Sequence, residues 1–400
     1  MAPAKRTGRV GRSHHTAARA FFLGGLFLGW ASVWAVLRAL EGGGTWWGPL
    51  HVFLVGTVLL AISGATQLFS VTWSAAVPTD PRIAAGQRWA LAVGAAATVL
   101  GVTRGIGWLT ATGATLVALA ITALGLILVG VVRRSLLRRF DLSTRFYLLA
   151  ASSGLIGVTL GGILGVGGAG SAYLDIRTAH MHLNLVGMVG FTMLGTLPTL
   201  LPTTVRHPMV SGREAIIGFW CCTAAFGWFV SGVFLGPAAV GVGCALVGVA
   251  ALLILFGIVL RLGVVRIAGA GFAALMIATG SLWLTGWVGY QAFSLIADGH
   301  RNFARATAVG VVGVGLVLFG SLAYLVPVLA GPGARLTANF GRMSGQGTLR
   351  AATANLVAGL LAFGAPGDWA VILAALFVAD FVARVAMVLT VGRRELSPSP

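Results

Sequence analysis

Two histidines in this chain sit in the same glycine frame. His51 is followed by Gly56 and Gly64, and His182 by Gly187 and Gly195, so both stretches read His-x4-Gly-x7-Gly. A degraded third copy ends at Gly320, where Gly320-Ser-Leu-Ala-Tyr-Leu-Val-Pro327 parallels Gly195-Thr-Leu-Pro-Thr-Leu-Leu-Pro202. Counting back thirteen residues from Gly320 lands on Thr307, where the other two copies have histidine. Neutral imidazole is the commonest side-chain metal ligand, so the two intact copies form a candidate metal site. His180 also qualifies by type. It lies roughly 200° around a helix from His182, so the two cannot face one interior together, and the repeat selects His182. The plain alternative for each is a hydrogen-bonded packing histidine. His14, His15 and His207 fall outside the repeat and are assigned no chemistry.

Other chemistry is sparse. Asp380 and Arg384 stand four apart inside an apolar run, a spacing that allows an ion pair on one helix face. Ionisable groups within a membrane span are costly and mark either function or a paired clasp. Gln67, Asn184, Gln291 and Asn355 are isolated polar groups in apolar surroundings, suited to joining helices by hydrogen bonds. Cys221, Cys222 and Cys244 lie within apolar runs and read as small core residues, with no C-x-x-C spacing. The glycines between Gly161 and Ala179 invite a phosphate-loop reading, but the Lys-Ser/Thr ending is missing. A flexible connection is expected there. No hydrolase triad, zinc motif or pair of catalytic carboxylates can be assembled.

Composition says what must position these residues. Of 400 residues, 58% are hydrophobic and only 9% charged, and mean hydropathy is +0.95. Soluble domains carry roughly 25% charged residues, so most of this chain is solvated by lipid. A net charge of +18 would suggest nucleic acid in a soluble protein. Here the charges occupy short gaps between apolar runs, which reads as membrane orientation and excludes a nucleic-acid partner. The expected architecture is all-α, with about twelve transmembrane helices. They cover about 20–41, 48–76, 84–103, 106–132, 143–166, 180–203, 213–235, 237–260, 267–293, 303–330, 348–366 and 368–390. Residues 1–19 form a basic tail, 20–391 the membrane domain, and 392–400 a second tail. With the N-terminus inside, 21 Lys and Arg face the cytoplasm and five face outward. That bias places both termini in the cytoplasm and the protein in the plasma membrane as a multi-pass chain. Trp46, Trp47, Trp108 and Trp369 at span ends fit an interfacial belt.

The repeat then organises the spans. From His51 to His182 is 131 residues and from His182 to Thr307 is 125, each about four helices. Three four-helix units, about 20–132, 143–260 and 267–390, related by a pseudo-threefold axis, account for both offsets. Glycines eight apart lie on one side of a helix and permit close packing. Spans 2, 6 and 10 then all run from outside to inside, which puts His51, His180, His182 and His300 at outer helix ends. A helix N-terminus there favours the neutral, metal-binding imidazole.

The segment Ala179-His180-Met181-His182-Leu183-Asn184-Leu185-Val186-Gly187, with Leu194-Gly195-Thr196-Leu197-Pro198 and Leu201-Pro202, resembles relatives of haem–copper oxidase subunit I. It is most similar to the NnrS-like proteins and to actinobacterial membrane proteins labelled copper oxidases. Phe319-Gly320-Ser321-Leu322-Ala323-Tyr324-Leu325-Val326-Pro327 resembles the tenth helix of the same group. The resemblance implies His51 as a haem ligand and His182, with His180 beside it, as metal ligands. It also implies haem or copper as cofactor, and an extracytoplasmic redox or copper protein as partner beside the lipid bilayer. The departures are substantial. Span 7 has Trp220-Cys221-Cys222 in place of a histidine pair, Val186 stands where tyrosine is expected, and Thr307 replaces a ligand. A dioxygen-reducing centre is therefore not supported. Redox chemistry, nitric oxide response or copper handling near the outer face is the leading expectation. A permease with a polar path between repeats, or a cofactor-free scaffold, is the alternative.

Overall fold

The computed structural model describes residues 9–42, 45–137, 141–210, 212–299, 303–331, 334–364 and 369–394. Among them there is no strand. A lipid-facing backbone has to satisfy its own N–H and C=O groups, and helices do so within one segment. The elements are α1 (Arg9–Glu41), α2 (Trp47–Ser74), α3 (Pro81–Arg104), α4 (Gly107–Arg133), α5 (Asp141–Gly165), α6 (Gly170–Thr204), α7 (Arg213–Leu235) and α8 (Pro237–Leu262). They continue with α9 (Phe272–Ala297), α10 (Phe303–Ala330), α11 (Gly347–Phe363) and α12 (Trp369–Arg394). An eleven-residue connector helix, Ala334–Ser344, joins α10 to α11.

Eleven helices among the described residues are long and apolar enough to cross a membrane. The twelfth expected span falls short. α11 has 17 residues, about 26 Å at 1.5 Å per residue, against roughly 30 Å of hydrocarbon. Two boundaries also move. Helix α1 begins at Arg9, inside the expected tail, because Ala17 and Ala20 are buried against Gly64 of α2. The expected glycine-rich gap at 161–179 is mostly helix: α5 runs to Gly165, and α6 starts as a 3-10 turn at Gly170. The break at Gly236 falls where the sequence puts it. Gly236 has φ +79° and Pro237 opens α8 at a position that needs no N–H donor. The break near Pro366 lies outside the described residues.

The helices are not equally enclosed. In α2 and α6, 78% and 89% of the apolar stretch is buried, against 11% in α12. The first two are therefore inner helices, and α12 meets lipid along most of its length. Neighbours in sequence pack together throughout (α1 on α2, α3 on α4, α7 on α8, α9 on α10), and α12 returns to α1. Between helices in lipid, van der Waals fit replaces the hydrophobic effect, and glycines supply the fit. A Cβ on Gly64 would lie 2.9 Å from Ala20 Cβ on α1, one on Gly195 2.5 Å from Phe146 Cβ on α5, and one on Gly320 2.9 Å from the Ala273 carbonyl of α9. Trp46, Trp108 and Trp369 are exposed at helix ends.

Candidate functional site

His51 closes the first turn of α2, and the helix changes pitch directly after it. Val52–Val58 is π-helical before the α-helix resumes at Leu59. His182 has the same setting, ending the α-helical stretch Tyr173–His182 ahead of the π-helical Leu183–Phe191. Each ring holds Nδ1 2.8 Å from the carbonyl four residues back, Trp47 for His51 and Thr178 for His182. A carbonyl only accepts, so Nδ1 carries the proton and Nε2 keeps its lone pair. π-turns are rare and gather at functional sites. In α10, Phe303–Ala330 is α-helical throughout. The side chain of Thr307 and the whole of His300 lie outside the described residues.

From this common start the rings diverge. His182 is fully buried, and the Gln291 amide of α9 donates to its Nε2 at 3.1 Å. Its ring lies parallel to Trp287, 6.1 Å between centroids, with Phe229 of α7 at the same distance. Both of its nitrogens are engaged by protein. His180 turns instead to α5, where Nδ1 donates to the Gly157 carbonyl at 2.7 Å. Asn184 gives its amide to the His180 carbonyl at 2.8 Å. Its 3.2 Å approach to Nδ1 sets donor against donor and is no hydrogen bond. The His180 ring fills the space a side chain at Gly161 would need, since a Cβ there would stand 2.5 Å from Cε1. His51 stacks on Trp47 with centroids 4.0 Å apart. His51 and His180 each leave Nε2 without a hydrogen bond among the described residues. His182 therefore sits at a different interface from His180, against α9 rather than α5.

Depth differs from expectation as well. His51 is in the first turn of its helix, whereas His182 closes a ten-residue stretch that begins at Tyr173. The field of a helix terminus fades within one turn, so it acts on His51 and not on His182.

The donor set on offer is imidazole nitrogen. Ligating histidines generally donate the other N–H to a carbonyl or carboxylate, which fixes the ring. His51 and His180 are both anchored that way. Two imidazole nitrogens suit copper or zinc, and no group of three or more His, Cys, Asp or Glu side chains gathers among the described residues. The cavity between α2, α6 and α10, which holds about 100 Å³, is lined by none of these histidines.

That cavity begins seven residues beyond the repeat position on each inner helix. From α6 it is lined by Val189, Thr192, Met193, Thr196, Leu197 and Leu200, which are 7, 10, 11, 14, 15 and 18 residues past His182. From α10 come Val314, Val317, Leu318, Ser321, Leu322 and Leu325, at the same six offsets past Thr307. α2 contributes Val58, Ala61, Ile62, Ala65 and Phe69, five of those six past His51.

The remaining candidates are structural in geometry. Arg384 and Asp380 pair at 3.0 Å across one turn of α12. Arg350 of α11, which the sequence pattern did not connect to them, reaches the same carboxylate at 2.7 Å. Arg350 also donates to the Met343 carbonyl and lies over the Phe272 ring at 4.4 Å, while Arg384 donates to the Arg342 carbonyl. Gln67 bonds Ser63 and Gln87, and Asn355 links Trp283 and Thr279. Cys222 and Cys244 are buried free thiols, and Cys221 is half-buried. One sequence signal for the role of His180 was present: Gly157-x3-Gly161 on α5 is a small-residue pair of the kind that admits a neighbouring helix. No family model matches the chain, and no curated protein matches it.

Proposed function

We propose that this chain is a copper-handling integral membrane protein, a relative of haem–copper oxidase subunit I with a reduced ligand set, that holds one copper ion between His51 and His180. The carrying observation is that His51 and His180 each hold a backbone carbonyl through Nδ1 and leave Nε2 without a hydrogen bond among the described residues. The ion would be held by those two nitrogens, and no redox step at dioxygen is assigned. The 21-to-5 distribution of basic residues supports cytoplasmic termini in the plasma membrane and a metal site near the outer face. An extracytoplasmic copper or redox protein is the fitting partner.

Three features support three four-helix units with α2, α6 and α10 equivalent. The cavity offsets agree, the glycine thirteen past each repeat position receives the first helix of its own unit, and two copies share the histidine-to-π transition. The cofactor-free scaffold is the second reading, favoured by His182, whose nitrogens are both satisfied within the protein.

Copper titration of the purified full-length protein under reducing conditions tests the proposal. One ion should bind, and His51→Ala and His180→Ala should each abolish it. His182→Ala should keep the ion. Failure of the wild type to bind stoichiometric copper would leave the scaffold, and a Soret band after purification from the native membrane would restore haem.

A further inference from the structure

The cavity on the bundle axis plays no part in the histidine site, and its chemistry is of another kind. Among the described residues, side-chain oxygen enters its wall only from Thr192, Thr196 and Ser321. Every one of those hydroxyl protons is committed: Thr192 donates to Met188 O at 2.7 Å, Thr196 to Thr192 O at 2.8 Å, and Ser321 to Val317 O at 2.7 Å. Tyr147 approaches Thr196 from outside the lining at 2.9 Å and, with the Thr196 proton already spent, is the donor. A buried water needs two to four polar partners, and an apolar cavity of about 150 Å³ stays dry while accepting benzene or xenon. This cavity, about 100 Å³ and only partly enclosed, has a wall of mainly apolar side chains and offers water few of those partners. A charged or strongly polar solute would lose its hydration there and gain no partner.

We propose that this cavity binds one small, uncharged, apolar molecule. Most of its wall comes from matching positions on α2, α6 and α10, with Phe21 of α1 and Ile277 and Leu284 of α9 completing it. It stands independently of the copper reading, because no residue in it belongs to the histidine pair.

Xenon is the probe. Crystals of the full-length protein under xenon pressure, or xenon-129 NMR in detergent against an empty-micelle control, should reveal one saturable site bounded by α2, α6 and α10. Ala65→Leu fills the cavity from α2 and Ser321→Leu fills it from α10. Either should lower xenon occupancy about tenfold or more, because the atom loses its contact shell, with copper stoichiometry unchanged. Should one variant fail to fold, the other reads the same quantity from the opposite wall, and the wild-type measurement decides alone. Ordered water in the cavity, absence of xenon from it in the wild type, or equal xenon binding in the variants that fold would overturn the proposal. Loss of copper binding with xenon retained would remove the histidine reading and leave this one standing.

Discussion

At the scale of single residues, three histidines carry different burdens because of what each second nitrogen meets. His182 gives one nitrogen to Thr178 and receives Gln291 on the other, deep between α6 and α9. Removing the ring leaves a buried amide without a partner and a void beside Trp287. His182→Ala should therefore cost about 3 kcal/mol, combining an unmet polar group with a cavity. The pair His182→Phe with Gln291→Leu removes both polar members and should recover most of that loss. Thermal midpoints of the three proteins in one detergent check the order. If the double variant proves as unstable as His182→Ala, the hydrogen bond is not what that position supplies.

At the scale of elements, the π-turns are the feature that sets ring direction. A residue removed from a helix rotates everything on one side of the gap by about 100°. Deleting Leu54 should turn Val52–Val58 into ordinary α-helix, swing His51 away from His180, and abolish copper binding. The glycine contacts of α2 below the turn should survive. Circular dichroism beside the metal titration separates loss of the site from loss of the fold. The same turns explain what the sequence made legible and what it hid. Most run lengths and the Gly236–Pro237 break are plain in the residue pattern, since hydropathy and a Gly-Pro step depend on the chain alone. The start of α6 is not, because Asp175 and Arg177 lower the local hydropathy of a stretch that is helical all the same. His180 was set aside for a reason that is right as far as it goes. It does face away from His182, but what lies on its side, Gly157 and Gly161 of α5, is a tertiary fact. Arg350 joined Asp380 across thirty residues of sequence, a separation that no helical period marks.

At the scale of the whole molecule, the proposed orientation follows from an imbalance of charge too large to arise from any one loop. A reporter active only in the cytoplasm, fused after Pro400, should be active, and the same reporter placed in the turn between Arg104 and Gly107 should be silent. The reverse pattern would invert the bundle and move the histidines to the inner face. The Arg350–Asp380–Arg384 contact then bears on how the chain is made. α11 is shorter than the hydrocarbon layer and carries an arginine whose side chain is 9% exposed in the finished fold. While the ribosome is still adding α12, that arginine has no carboxylate within reach. The contact therefore ties α11 to α12 only once residue 380 has been made, so this corner of the fold closes late in synthesis. A transcript that stops short of residue 380 would yield a protein with an exposed insertion defect at its end, the kind of lesion that membrane proteases find first.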